Sequence, residues 1–158
     1  METQPDFTEL LALFNAHHVE YMVVGGYALA FHGAPRFTGD LDLLVKPDTA
    51  NAQRILAALE AFGFASVDLT PSDFEHPDQV VQLGVPPVRI DLITSITGVS
   101  WDEAFAGRTA GRYGDLPVDY IYPGMRPAAV DLLDLSREHV SPTPVDCTPS
   151  HARCRRHL

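Results

Sequence analysis

Along this chain the apolar positions change period several times, from the three-to-four spacing of a helix to the two of a strand. Phe7, Leu10, Leu11 and Phe14 keep helical spacing, and Asp6 with Glu9 is placed as a capping pair. That predicts an amphipathic helix to about His17. Tyr21 to Val24 is a short run of strand formers broken by Gly25-Gly26. Tyr27 to Phe31 then suits a short helix, closed by Gly33 and Pro35. Asp40-Leu41-Asp42-Leu43 alternates charged and apolar residues, the mark of a second strand ending at Val45.

The later pattern is similar. Pro47-Asp48 opens a predicted helix through Glu60, with Ile55, Leu56 and Leu59 inward and Gly63 at its end. Phe64 to Leu69 reads as a strand, and Thr70 to Pro77 as a loop. Gln79 to Leu83 and Val88 to Thr94 read as a strand pair joined by Gly84-Val85-Pro86-Pro87. Ser100 and Glu103 form a capping box on a helix to Ala106. Thr109 to Tyr113 and Pro117 to Tyr122 make a second hairpin around Gly114-Asp115. Arg126 to His139 carries the last helical pattern. Residues 141–158 hold three prolines and little apolar content, which predicts a disordered tail behind a single domain of residues 1–140. Strands alternating with helices, then hairpins, indicate an α/β (α+β) domain with a mixed sheet flanked by helices.

At 158 residues and 46% hydrophobic, the chain can bury a sizeable core. No apolar run approaches the ~20 residues of a membrane span. The acidic start METQPDFTEL lacks a charged-then-apolar leader, so a cytoplasmic protein is expected. The net charge of −10 understates the body: the first 150 residues hold 8 basic and 21 acidic residues. Such a surface repels a long phosphate backbone unless cations or a local arginine patch intervene. Lys46 is the single lysine against ten arginines, so a phosphate clamp here is an arginine clamp.

Two carboxylates on one strand face, Asp40 and Asp42, repel each other unless a cation sits between them. Oxygen ligands of this kind suit Mg²⁺, which shares its coordination with substrate phosphates. Asp91 repeats the arrangement in Val88-Arg89-Ile90-Asp91-Leu92-Ile93, and if the two strands are neighbours, three carboxylates meet at one sheet end. Three carboxylates suffice for a two-metal site. Gly25-Gly26 allows phosphate to approach backbone N–H groups, and Arg36 adds a charge-assisted contact. Neither G-x-G-x-x-G nor a Gly-Lys-Ser/Thr loop is present, which excludes the common dinucleotide and P-loop sites. Cys147, His151, Cys154 and His157 are spaced more tightly than a zinc finger and lack its apolar residues, so the tail is read as unstructured. His32 is read as packing the turn near the proposed site.

Val24-Gly25-Gly26, the pair Asp40/Asp42 and the later Asp91 together resemble the signature of the DNA polymerase β-type nucleotidyltransferase superfamily. The finer pattern GGYALAFHGAPRFTGDLDLL is similar to the minimal nucleotidyltransferases of prokaryotes, including AbiEii-type toxin–antitoxin enzymes. The resemblance spans roughly residues 7 to 95. It implies the nucleotidyltransferase fold, with Gly25 and Gly26 at an ATP-like nucleoside triphosphate, and Arg36 and Thr38 matching the R-x-T element that precedes the acidic pair. It further implies that Asp40, Asp42 and Asp91 are the catalytic carboxylates and hold two Mg²⁺ ions, with Mn²⁺ as a substitute. The implied reaction passes a nucleoside monophosphate to a hydroxyl on an RNA end, a protein or a small molecule, and the implied partner is a toxin or antitoxin protein. Relatives carry a lysine-bearing helix and a Lys-Asp element after the core, whereas residues 124–140 here contain no lysine. Asp131 and Asp134 stand in that region, with Arg126 and Arg137 as its cations. An antitoxin-like or regulatory module that keeps the fold without turnover is therefore the alternative reading.

Overall fold

The computed structural model describes residues 3–34, 39–64, 68–85 and 87–124, together with the backbone of 143–148 and 151–156. Helix α1, Pro5–Ala16, buries Phe7, Leu10, Leu11 and Phe14 as their spacing demands. The capping pair expected at Asp6 and Glu9 is not used. Gln4 takes the N-cap position without a side-chain bond, and Pro5 fills the first turn, where its missing N–H removes nothing from the helix. At the other end the Val19 N–H donates to the Phe14 carbonyl and the His18 N–H to that of Asn15. This Schellman closure turns the chain directly into strand β1, Tyr21–Val24.

Helix α2, Gly25–Phe31, follows β1 at once, and strand β2, Asp40–Val45, returns antiparallel to it. Helix α3, Thr49–Leu59, is capped by Asp48, whose carboxylate accepts from the Asn51 N–H at 2.7 Å. Its inner face comprises Asn51, Ala52, Ile55, Ala58 and Leu59, with Leu56 only half-buried.

Of the strand expected from Phe64 to Leu69, the described residues Phe64, Asp68 and Leu69 are not in a strand. Glu60–Phe64 continues the helix as a π-turn that buries Phe62 and Phe64, and Gly63 breaks it at φ 111°. A short apolar run alone does not separate helix from strand, and here packing chose the helix. Residues 65–67 lie outside the described chain. The expected loop before residue 78 contains a one-turn helix, α4, Ser72–Glu75, which seats Phe74 in the core.

Strands β3, Val80–Val85, and β4, Val88–Ile93, form the expected hairpin. Helix α5, Trp101–Ala106, carries the predicted Ser100/Glu103 capping box. Strands β5, Thr109–Tyr113, and β6, Leu116–Tyr120, pair as the second hairpin. The helix predicted from Arg126 to His139 lies outside the described residues. Of the segment beyond 140, only the backbone of β7, Thr143–Thr148, and β8, His151–Arg156, is described; the side chains of Cys147, His151 and Cys154 are not.

The sheet order is β5-β6-β1-β2-β4-β3-β7-β8. Its pairings are mixed: β1 with β6 and β2 with β4 are parallel, while β1 with β2, β3 with β4 and β5 with β6 are antiparallel. This is the mixed α/β architecture that the sequence pattern predicts. No helix among the described residues is long and apolar enough to cross a membrane.

One buried polar side chain ties the elements together. Asn51, fully buried on α3, accepts from the Glu20 N–H at 2.8 Å and donates to the carbonyls of Glu20 and Lys46, both at 3.0 Å. It satisfies the backbone where β1 begins and where β2 ends. Asn51→Ala strands the Glu20 N–H and takes one of two bonds from each carbonyl, the Glu20 and Lys46 carbonyls still accepting from the Lys46 and Asp48 N–H groups, so a loss of about 2 kcal/mol in urea unfolding is expected. An unchanged midpoint would show that water takes over those bonds.

Candidate active site

The end of β1 sets the geometry. Val24 keeps extended backbone as the N-cap of α2, and no side chain caps the helix. Gly25 then takes φ 72°, a conformation in which a Cβ is strained. A strand therefore turns into a helix within one residue, presenting first-turn N–H groups that have no partner within the helix. Because Val24 is paired with Asp42, this glycine turn lies at the same end of the sheet as the start of β2.

The β2–β4 pairing completes the arrangement. These parallel strands set Asp40 beside Arg89 and Asp42 beside Asp91. Residues two apart share a face, so three carboxylates and one guanidinium make a two-by-two patch on a single side of the sheet. Leu41 and Leu43, beside Ile90 and Leu92, fill the other side and are buried. Asp42 and Asp91 are themselves only 4% and 5% exposed.

Electrostatics make this a costly patch. Neighbouring strands run about 4.8 Å apart, and like charges directly opposite each other destabilise a sheet. At an effective dielectric of about 20, two unit charges at that separation repel by roughly 3 kcal/mol. Arg89 supplies the compensation. Its Nη2 lies 2.8 Å from Asp40 Oδ2 and donates to Asp91 Oδ2 at 3.1 Å. Its Nε lies 3.1 Å from Asp91 Oδ1, near enough for charge attraction though poorly aligned for a hydrogen bond. Among the described residues no group of three His, Cys, Asp or Glu side chains closes into a metal-holding cluster. Among the described residues, the Arg89 guanidinium is a positive charge set against Asp40 and Asp91.

The donor set nevertheless suits a hard divalent cation. All three groups are carboxylates, they share one face, and the Asp42–Asp91 pair needs positive charge beside it. Of the predicted site residues, the fold brings Gly25, Gly26, Asp40, Asp42 and Asp91 to one sheet end. Arg36 and Thr38 lie outside the described residues. Arg89 is a further member of the patch that the motif does not include. Its signal was the alternation Arg89-Ile90-Asp91, which puts the two charged side chains on one face.

His32 closes the rim as a structural residue. Its Nε2 donates to the Ile121 carbonyl at 2.9 Å, and its ring meets Phe31 and Tyr122 edge-on. Below it, Phe31 stacks on Tyr120, and Tyr27 sits edge-on to Tyr113. Burial raises the hydroxyl pKa of both Tyr27 and Tyr120 to about 12, and the neighbouring Tyr113 adds to each shift. Neither is a general base at neutral pH; they are packing for α2.

A search of curated proteins gives no match to this chain. Among solved structures, a crystal structure from Thermotoga maritima assigned as a nucleotidyltransferase superposes with a TM-score of 0.53 over 83% of each chain, at 13% identity. At that identity the likeness establishes the fold, which is the nucleotidyltransferase fold. The family model described as nucleotidyl transferase AbiEii toxin, type IV toxin–antitoxin system, matches residues 10–149, from the middle of α1 to beyond β6. With that match over most of its length, the chain belongs to the AbiEii nucleotidyl transferase family.

Proposed function

We propose that this protein transfers a nucleoside monophosphate from a nucleoside triphosphate, ATP being the first to try, to a hydroxyl acceptor, with release of pyrophosphate. The observation that carries this reading is the β2–β4 register, which gathers Asp40, Asp42 and Asp91 on one face beside the Gly25-Gly26 turn. Asp40, Asp42 and Asp91 would hold two Mg²⁺ ions, with Mn²⁺ as a substitute. Such ions supply Lewis-acid stabilisation of phosphoryl oxygens and lower the pKa of an attacking hydroxyl.

The chain's own residues do the rest. Gly25 and Gly26 leave room for the triphosphate to reach backbone N–H groups, and Arg36 and Thr38 would add contacts from the preceding loop. Asp91, on the strand beyond Asp42, faces the acceptor side and orients the incoming hydroxyl. The leaving pyrophosphate departs over the glycine turn. The acidic body disfavours long duplex acceptors, which leaves a protein, a small molecule or an RNA end. The family's description as a toxin–antitoxin component suggests an antitoxin partner, and the need for triphosphates suggests the cytoplasm as its compartment.

The test is transfer of labelled nucleotide to copurifying RNA and protein. Label should depend on Mg²⁺ in wild type and vanish in Asp40→Ala/Asp42→Ala; equal labelling in both would overturn the assignment. One observation favours a second reading, a nucleotide-binding module without turnover: residues 124–140 lack the lysine of related enzymes. Nucleotide binding with no pyrophosphate release across a broad acceptor panel would establish that alternative.

A further inference from the structure

The carboxylates of this site carry an internal competitor for cations. Arg89 stands directly beside Asp40 across the β2–β4 pairing and two residues before Asp91 on its own strand. Both relations follow from backbone register, so the guanidinium cannot avoid this patch without leaving the face altogether. Its fork engages both oxygens of Asp91, and Nη2 also reaches Asp40. The Arg89 and Asp40 side chains are only about a fifth to a quarter exposed, at 22% and 25%, and Asp91 is nearly closed off. Water therefore does little of the compensation, and a buried carboxylate without a cation is strongly unfavourable.

Resting on the metal reading above, we infer that Arg89 is a resident counter-cation. Its guanidinium and a divalent ion compete for the same Asp40 and Asp91 oxygens, so ion binding requires the arginine to withdraw. Hydrogen bonds from the guanidinium draw charge from the oxygens that would coordinate, and a dication beside a guanidinium is repelled by it, so each weakens the other's hold. The carboxylates therefore exist in two arrangements, arginine-held and ion-held. The apparent affinity for the ion is lowered by the fraction of molecules in the first. This gives the metal-free protein a partly neutralised, foldable site. It also makes ion loading conditional, since a substrate triphosphate offers the released guanidinium a new anion.

The test uses Mn²⁺ as the probe, with calorimetric titration and melting temperature as readouts, on wild type, Arg89→Gln, Arg89→Lys and Asp42→Asn. Arg89→Gln should bind Mn²⁺ about tenfold more tightly than wild type, with Arg89→Lys between them. Its metal-free melting temperature should fall, and saturating Mn²⁺ should restore most of the loss. A structural ion pair alone would lower the melting temperature and leave Mn²⁺ affinity where it was. Unchanged or weaker binding by Arg89→Gln, with Mn²⁺ still bound by wild type and lost in Asp42→Asn, overturns the competition and leaves the metal site standing. No Mn²⁺ binding by wild type, Arg89→Gln or Arg89→Lys overturns both. If Arg89→Gln fails to fold without metal, folding on addition of Mn²⁺ supports the inference and failure to do so, with Arg89→Lys at wild-type affinity, overturns it.

Discussion

Asp42→Asn is expected to lower Mg²⁺-dependent pyrophosphate release by about 10³-fold while leaving the stability of the metal-free protein nearly unchanged. The loss of activity follows from removing one charged ligand at a buried site, an effect on the order of 4 kcal/mol in the barrier. The fold should tolerate the change. Asp42 faces Asp91 across parallel strands, and asparagine keeps the shape of the side chain while removing one of two opposed charges. The melting temperature in chelator should stay within roughly 2–4 °C of wild type, which is about 1 kcal/mol for a chain of this size. A large loss of rate with little change in stability marks a residue retained for chemistry. A melting temperature that falls much further would show that the Asp42 charge is built into the metal-free fold.

Phe14→Ala should be the most damaging single truncation away from the site, at about 3–5 kcal/mol. Phe14 is fully buried at the end of α1, and its ring meets Tyr21 edge-on at 5.5 Å. Its carbonyl also receives the Val19 N–H that closes the helix. The Tyr21 hydroxyl in turn donates to Asn15, whose amide donates to the Pro117 carbonyl. Removing the ring therefore opens a cavity where α1, β1 and β6 are joined. A fall of roughly 10 °C in melting temperature is expected. A drop of only a degree or two would mean that α1 collapses into the space. Activity at low temperature should survive in this variant, because the carboxylate patch lies at the other end of β1.

What could be read in the sequence was local. Alternation at Asp40-Leu41-Asp42-Leu43 and at Arg89-Ile90-Asp91-Leu92 gave two half-polar strands, and Gly25-Gly26 gave the turn between β1 and α2. Each signal sits within a few residues, where side-chain period and backbone preference act directly. The parallel neighbourhood of β2 and β4 is a different kind of fact. Nothing near Asp42 specifies that Asp91 rather than another residue will stand beside it; the packing of Leu41 and Leu43 with Ile90 and Leu92 decides that. Arg89 went unrecognised for this reason, since its partner Asp40 becomes visible only through the register. Asn51 carries no local signal of its role, because the backbone groups it bonds come from Glu20 and Lys46. Phe64 was misread because a π-turn and the start of a strand share the same apolar pattern over so short a length.

The distance along the chain between β2 and β4 has a bearing on synthesis. The ribosome adds about 5–20 residues each second, so Asp40 and Asp42 wait roughly 3–10 s before Asp91 is made. Throughout that interval β2 has an open edge where β4 will later lie. Any product that stops before Val88 keeps the glycine turn and two carboxylates but lacks both Arg89 and Asp91. Stalled translation or proteolysis in that region thus leaves fragments with half a site. Competence for the proposed transfer arrives as a single late event, when the second hydrophobic strand docks and brings its acid and its arginine together.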